Sequence, residues 1–370
     1  MSVKSVMLAA GGTGGHLFPA FALAQELGRR GIAVDLVTDM RGDRYGTDFP
    51  ARAVYRVPSA TISGRSLLAA PRTAIMLARG VWAAYRLIAD LKPACVIGFG
   101  GYPAFPPIVA ATLRGIPTAL HEQNAVLGRA NRLLLGRVSA IATSFEQVRF
   151  LDGSAARKAR FTGNPVRDQV VDWATQGYPA LSADGPFSLL VFGGSQGARF
   201  LSEAVPQAIA LLPEPERRRL FVVQQCRPED LKAVEEAYRA AGVRSQLAQF
   251  FANLPEEMAK AHLVIARSGA STVAELTVIG RPALLVPLPH AVDNDQLQNA
   301  RRLAESGGAW CIEQKDMTAE RLAQSIGHLM SSPQTLAQAA AAAKAQGRPD
   351  AVERLADLVE ELIGSATKSS

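Results

Sequence analysis

The chain has 370 residues, 48% of them apolar, which is enough for two ordinary hydrophobic cores. Its three cysteines, Cys95, Cys226 and Cys311, are far apart and odd in number; this excludes a disulfide framework or a cysteine metal cluster and fits a reducing cytosol. Residues 1–163 carry 20 Lys and Arg against 9 Asp and Glu, and residues 164–370 carry 20 against 24, so the basic first half calls for a negatively charged partner.

The chain opens with an apolar, β-branched run over 3–8. This reads as a first strand rather than a signal peptide. The glycine run Gly11-Gly12-Thr13-Gly14-Gly15 follows, then an amphipathic helical pattern over 17–30. Strand, glycine turn and helix together aim backbone N–H groups at an anion. Leu17 stands where a dinucleotide fingerprint needs its third glycine, and no Gly-Lys-Ser/Thr follows, so neither that fingerprint nor a P-loop is present. Gly31 caps the helix, and 33–38 is a second strand, completing a βαβ unit. The connection over 39–57 is polar and turn-rich.

Pro71 can open a helix that runs to about Leu91. Arg72, Arg79 and Arg86 recur every seven residues along it and share one stripe, because seven residues drift only about 20° on a helix. Leu67, Leu68, Ile75, Met76, Trp82 and Tyr85 lie around them, with Arg65 in the preceding loop. A basic stripe with large apolar and Trp/Tyr neighbours suits an anionic membrane surface. A core-packed helix with a solvated arginine face is the plainer alternative. No apolar run approaches the roughly 20 residues of a membrane span.

A strand over 94–98 leads into a second glycine turn, Gly98-Phe99-Gly100-Gly101-Tyr102-Pro103. A helix is expected over 107–114 and a strand over 117–121, ending in His121-Glu122-Gln123-Asn124 at the carboxyl edge where open α/β sheets bind ligands. A short strand over 140–144 precedes the boundary motif Gly163-Asn164-Pro165-Val166-Arg167. The pattern then restarts: strand 187–192, glycine loop Gly193-Gly194-Ser195-Gln196-Gly197, helix 198–212, strand 220–224 and helix 228–241. An extended stretch at 249–251, a helix over 255–261 and a strand over 263–266 follow. Arg267-Ser268-Gly269-Ala270-Ser271-Thr272 then opens a helix to Ile279, and 282–286 is a further strand. Two doubly wound, Rossmann-like α/β domains facing a cleft are expected: 1–163 and 164–349. A C-terminal helix over 351–363, within 350–370, returns to the first domain and ends in a flexible tail.

These motifs, in this order and at this spacing, with Val273-Ala274-Glu275 and the pair Gln296 and Asn299, resemble the MurG family of peptidoglycan glycosyltransferases over nearly the whole chain. The resemblance implies the GT-B fold. It also implies an inverting transfer of N-acetylglucosamine (GlcNAc) from UDP-GlcNAc to the MurNAc 4-hydroxyl of undecaprenyl-diphosphate-MurNAc-pentapeptide. No cofactor and no metal are expected, although Asp293-Asn294-Asp295 spells Asp-x-Asp. The expected place is peripheral, on the anionic cytoplasmic face of the bacterial inner membrane. Nucleic acid is not an expected partner, since aromatics are only 6% and no basic stretch is interleaved with stacking residues.

The family match carries donor contacts onto Thr13, Gly14, Gly15, Asn124, Arg167, Ser195, Phe251, the run Ala270, Ser271, Thr272, Val273, Ala274 and Glu275, and Gln296. Glu275 is suited to a ribose diol, and the helix N-terminus to the diphosphate. His16 is the candidate base, because a helix N-terminus holds a histidine neutral. Glu122 and Tyr102 are alternatives. Two departures stand out: Gln224-Gln225-Cys226-Arg227 where the family usually has His/Trp-Gln-Thr/Ser-Gly, and Asp295-Gln296 where it often has His-Gln. The competing readings are a transferase with a soluble acceptor, a UDP-sugar 2-epimerase and a non-catalytic UDP-sugar binder.

Overall fold

The computed structural model describes residues 5–11, 14–39, 49–60, 70–182, 184–194 and 199–368. The chain divides into two units, Met1–Arg167 with Asp350–Ser370, and Asp168–Pro349. The first division therefore falls after Arg167 rather than after residue 163.

The first unit runs β1 (Ser5–Ala9), α1 (Gly14–Arg29), β2 (Ala33–Thr38), β3 (Ala53–Arg56), α2 (Ala70–Leu91), β4 (Cys95–Gly98), α3 (Gly101–Leu113), β5 (Thr118–Glu122), α4 (Arg129–Leu134), β6 (Ala140–Thr143), α5 (Gly153–Ala156) and β7 (Ala159–Phe161). Its strands form one sheet in the order β3-β2-β1-β4-β5-β6-β7, with every pairing parallel. A parallel sheet is covered on both faces, so its central strand reads as a continuous apolar run; β1, Ser-Val-Met-Leu-Ala, is buried throughout. Val6 and Leu8 pack on one side with Leu17, Leu23, Leu355 and Val359, while Met7 packs on the other with Ala84, Ile88 and Ile108. This alternation is the period-2 geometry of a strand.

The second unit runs α6 (Asp168–Ala174), β8 (Phe187–Phe192), α7 (Arg199–Ala210), α8 (Glu214–Arg219), β9 (Leu220–Gln225), α9 (Leu231–Ala240), β10 (Arg244–Ala248), α10 (Leu254–Lys260), β11 (Leu263–Ala266), α11 (Ala270–Ile279), β12 (Ala283–Leu285), α12 (Asp295–Glu305), β13 (Ala309–Cys311), α13 (Ala319–Met330) and α14 (Pro333–Gln346). Its sheet order is β10-β9-β8-β11-β12-β13, again parallel at every pairing. The last helix, α15 (Ala351–Lys368), belongs to the first unit. It lies on α1, and Arg30 clamps it by donating to Asp357 at 2.6 Å and Glu360 at 2.9 Å.

The strand order of each sheet reverses at its centre, between β1 and β4 and between β8 and β11. Such switch points are where open α/β sheets leave a crevice outside the strand ends. The glycine-rich turns after β1, β4 and β8, and the Arg267–Gly269 turn after β11, fall at these two places.

Four of the stretches read from sequence are built differently. Helix α1 starts at Gly14 rather than 17, so the last glycines of the run form its first turn. Helix α3 starts at Gly101 rather than 107. Pro103 is tolerated there because it falls in the first turn, where a helical N–H has no intrahelical partner. The strand expected at 249–251 is β10, Arg244–Ala248, with 249–251 in the loop beyond it. Strand β3 occupies the connection read as turns. Both β3 and β10 are edge strands, and a half-exposed edge needs no apolar run to mark it.

Helix α2 turns Gly80, Ala84 and Ile88 inward. A Cβ on Gly80 would stand 2.1 Å from the Pro58 carbonyl oxygen, so this close approach requires glycine. Arg72, Ile75, Met76, Arg79, Trp82 and Arg86 are exposed on the helix, with Ile75 and Trp82 at 61% and 62%. Trp82 stacks on Tyr85, and the Arg114 guanidinium lies 3.7 Å over the Tyr85 ring. Arg65, Leu67 and Leu68, which the sequence places beside this stripe, lie outside the described residues.

Candidate active site

The first unit's edge is built from polar side chains. His16 stands in the first turn of α1, and its ring lies against the backbone of Gly100 and Gly101, at φ +85° and +67°. A Cβ on Gly101 would sit in ordinary contact with the ring, 3.4 Å from His16 Nε2, so what the second glycine turn supplies is the left-handed backbone on which the imidazole rests. His16 Nδ1 is 3.2 Å from Gln123 Oε1. Gln123 Nε2 donates to the Phe99 carbonyl at 3.0 Å and to the His121 carbonyl at 3.1 Å, and lies 2.9 Å from His121 Nδ1. His121 Nε2 in turn lies 3.2 Å from the Gly163 carbonyl. Desolvation pushes the His16 pKa below its ordinary 6.5, against hydrogen bonds from Gln123 and Phe99 that raise it. Burial takes His121 down to about 4.

Glu122, read as an alternative base, does something else. Its carboxylate is 2% exposed and accepts from Asn124 N at 3.0 Å, Gly128 N at 2.8 Å and Asn131 Nδ2 at 2.8 Å. With its lone pairs committed, it ties the end of β5 to the start of α4. Burial raises its pKa, opposed by these hydrogen bonds. Asn124 is positioned by this carboxylate. The Arg167 guanidinium lies 5.6 Å over the Phe18 ring, on the helix that carries His16. Tyr102, the other alternative base, lies in the first turn of α3.

The second unit's edge is held through its backbone. Gly269 caps α11, and Ala270, Ser271 and Thr272 form its first turn. Ser268 is fully buried; its hydroxyl donates to the Gln296 carbonyl at 2.8 Å, and its carbonyl accepts from Asn299 at 3.1 Å. Gln296 Oε1 accepts from Leu288 N at 3.0 Å. The start of α11, predicted from sequence, is thus joined to the start of α12, which was not. Arg267 turns its guanidinium inward to the carbonyls of Val286 and Pro287 and to Gln314 Oε1. Glu275 is buried at 7% exposure, not an ordinary exposed helix glutamate. Phe251 is buried in the loop after β10. In the departing motif, Gln224 is fully buried and accepts from the Tyr238 hydroxyl at 2.5 Å.

Among the buried groups on these edges that have no hydrogen-bond partner among the described residues are the Asn164 side-chain amide in the first unit and the Ser271 hydroxyl in the second. A bound ligand can satisfy both. Thr13 and Ser195, with Gly12, Gln196 and Gly197, lie outside the described residues. Sequence reasoning gave no role to His121, Gln123, Asn131 or Ser268. His121 and Gln123 stand in the motif at the end of β5, and the signal that could have found them is two polar residues at the end of an apolar strand.

Two parallel sheets with ligand loops at their switch points are the architecture of a GT-B glycosyltransferase. The glycosyltransferase family 28 N-terminal domain matches residues 6–143, and the family 28 C-terminal domain matches residues 188–355. The UDP-N-acetylglucosamine–N-acetylmuramyl-(pentapeptide) pyrophosphoryl-undecaprenol N-acetylglucosamine transferase of Methylobacterium sp. (strain 4-46) is 55% identical over 98% of both chains. The protein of that name from Rhodospirillum centenum is 53% identical over 97% of this chain and 94% of its own. The crystal structure of Acinetobacter baumannii MurG superposes with a TM-score of 0.80 at 32% identity, covering 97% of this chain and 99% of that one. The chain belongs to the MurG family of N-acetylglucosamine transferases, glycosyltransferases of peptidoglycan synthesis. Among the described residues no helix is long and apolar enough to cross a membrane.

Proposed function

We propose that the chain transfers GlcNAc from UDP-GlcNAc to the MurNAc 4-hydroxyl of undecaprenyl-diphosphate-MurNAc-pentapeptide, with inversion and with His16 as general base. The observation that carries the base assignment is the setting of His16: the first turn of a helix, a glycine backbone against its ring, and a lowered pKa. Both the helix dipole and burial favour the neutral imidazole that a base requires. The acceptor hydroxyl loses its proton to His16 and its oxygen bonds to the anomeric carbon. The bond from that carbon to the diphosphate breaks, and UDP leaves with the electron pair.

In this reading the second unit grips the donor. The α11 N-terminus meets the diphosphate, with Ala270, Ser271, Thr272, Val273 and Ala274 along the helix start. The buried Glu275 takes the ribose diol, Gln296 the sugar hydroxyls and the Phe251 backbone the uracil, with Ser195 a further contact. Thr13, Gly14, Gly15, Asn124 and Arg167 are the donor contacts on the first unit.

The acceptor is membrane-borne, and the exposed face of α2 suits an anionic bilayer surface at the cytoplasmic side. It carries Arg72, Arg79 and Arg86 for headgroups, and Ile75, Met76 and Trp82 for the acyl boundary.

The test is transfer of radiolabelled GlcNAc to a short-chain analogue of the lipid acceptor, with and without EDTA. Wild-type labelling is expected to survive EDTA. His16→Ala should lower turnover by about 10²- to 10⁴-fold and retain UDP-GlcNAc binding; full turnover would remove His16 as the base. Replacing Arg72, Arg79 and Arg86 with Gln should weaken vesicle binding by roughly 100-fold, at about 1 kcal/mol per arginine. Equal binding of wild type and variant to phosphatidylserine vesicles would remove the membrane assignment of α2.

A further inference from the structure

We propose that Gln123 is a positioning residue which, backed by His121, locks His16 in the tautomer that leaves Nε2 unprotonated for the acceptor hydroxyl. The inference rests on the reading of His16 as base.

Backbone carbonyls fix the protons. A carbonyl can only accept, so the Gln123 amide group within reach of the Phe99 and His121 carbonyls, at 3.0 and 3.1 Å, is the NH₂. Its oxygen therefore faces His16 Nδ1 at 3.2 Å. That oxygen is also an acceptor, so the proton of neutral His16 is on Nδ1 and the lone pair on Nε2. Behind Gln123 the argument runs in the opposite sense. His121 Nδ1 faces the same NH₂ at 2.9 Å and is the acceptor. His121 Nε2 faces the Gly163 carbonyl at 3.2 Å and carries the proton. The two imidazoles thus hold opposite tautomers, set from Phe99, His121 and Gly163 backbone oxygens that cannot change roles.

The choice of an amide has a consequence. A carboxylate at Nδ1 would fix the same tautomer but hold the ring protonated to higher pH. The neutral amide orients the ring without that charge, in keeping with the lowered His16 pKa. The charged and titratable groups around the ring do not replace it. His121 is neutral and buried. The Glu122 carboxylate is turned to Asn124, Gly128 and Asn131. Asp39 lies by Gly11, Arg167 stands over Phe18, and Tyr102 is on the first turn of α3.

The test uses the full-length protein labelled with ¹⁵N-histidine. Two-bond ¹⁵N–¹H spectra read the tautomer of each ring, and the five histidines are assigned by single substitutions. Wild-type His16 is expected as the Nδ1–H form at neutral pH, and His121 as the Nε2–H form. In Gln123→Met, where the Phe99 carbonyl is left as a partner of the His16 ring, the Nδ1–H form should lose population to the Nε2–H form, and kcat should fall by about 10- to 100-fold. The KM for UDP-GlcNAc should stay within about threefold, since the residue is assigned no donor contact. An Nε2–H pattern for wild-type His16 overturns the proposal, and this spectrum needs no variant to fold. Retention of both the Nδ1–H pattern and kcat in Gln123→Met overturns it as well. Full turnover in His16→Ala would instead overturn the base reading, separately from the spectra, which decide the tautomer by themselves.

Discussion

The two sheet edges share one winding and are held together by different means. In the first unit the edge is a chain of side chains: His16, Gln123 and His121 in one line, and Glu122 gathering Asn124, Gly128 and Asn131 in another. In the second unit the edge is backbone, with Gly269 at the start of α11 and arginines fastening carbonyls beneath it. The difference follows from the work assigned to each. Moving a proton needs titratable groups whose protonation is controlled. Gripping an anion needs N–H groups and a helix dipole, which do not titrate. The first unit's edge should therefore respond to pH through its histidines, and the N–H groups at the start of α11 should not.

The largest effect is expected where the second unit relies on one side chain. Arg281 is 1% exposed and donates to the carbonyls of Ala259, Ile279, Gly280 and Gly177. Burial takes its pKa down to about 10, so it stays charged at neutral pH. Arg281→Met leaves these carbonyls without their donor and should cost about 3–5 kcal/mol in urea unfolding. The loss should appear at both pH 5 and pH 7, somewhat smaller at pH 5 because Arg281 helps hold His262 below its ordinary pKa, and a loss confined to one pH would break the contrast.

His121 should give the opposite behaviour. Its pKa falls from 6.5 to about 4 on folding, so between these values the unfolded chain binds the extra proton. Stability from this group is complete above pH 6.5 and is lost as pH falls toward 4, by about 3 kcal/mol. His121→Phe should remove this part of the acid slope, measured by urea titrations at pH 7, 6 and 5. An unchanged slope would show that His121 does not carry it.

A smaller effect separates the two roles considered for Glu122. Glu122→Gln puts an NH₂ among three donors and should cost about 2 kcal/mol. If the residue is a structural acceptor, kcat per folded molecule should stay within about tenfold. A loss of about 10³-fold, as for a missing base, would return Glu122 to the chemistry.

The smallest effect is at Ser271, whose buried hydroxyl has no partner among the described residues. Ser271→Ala should leave the free protein within about 1 kcal/mol of wild type or slightly more stable, because an unsatisfied group is removed. The shift in unfolding midpoint produced by UDP-GlcNAc should shrink. An undiminished shift would mean that the hydroxyl does not meet the donor.

Much of this was legible in the chain itself. Glycine runs following apolar strands marked both switch points, because only a backbone without Cβ turns so tightly at a strand end. His16 was visible beside one of them, and Ala270–Glu275 formed a helix start after another strand. The ordered motifs carried the family. The edge strands β3 and β10 were not legible, because their half-exposed residues leave no apolar run.

Tertiary structure alone decided which way the polar residues face. His121, Glu122, Gln123 and Asn124 are consecutive, yet Gln123 reaches His16 and Glu122 reaches Asn131. Spacing within a motif does not reveal which side chain meets a ring on α1, because that partner comes from a distant part of the chain. The same holds for Glu275, buried here on a helix whose sequence fits an exposed glutamate equally well, and for α2, where the exposure of Ile75 and Trp82 depends on which face α3 covers. Local patterns follow from backbone sterics and periodicity; the orientation of the Gln123 amide toward His16 follows from the Phe99 and His121 carbonyls, which only the fold brings together.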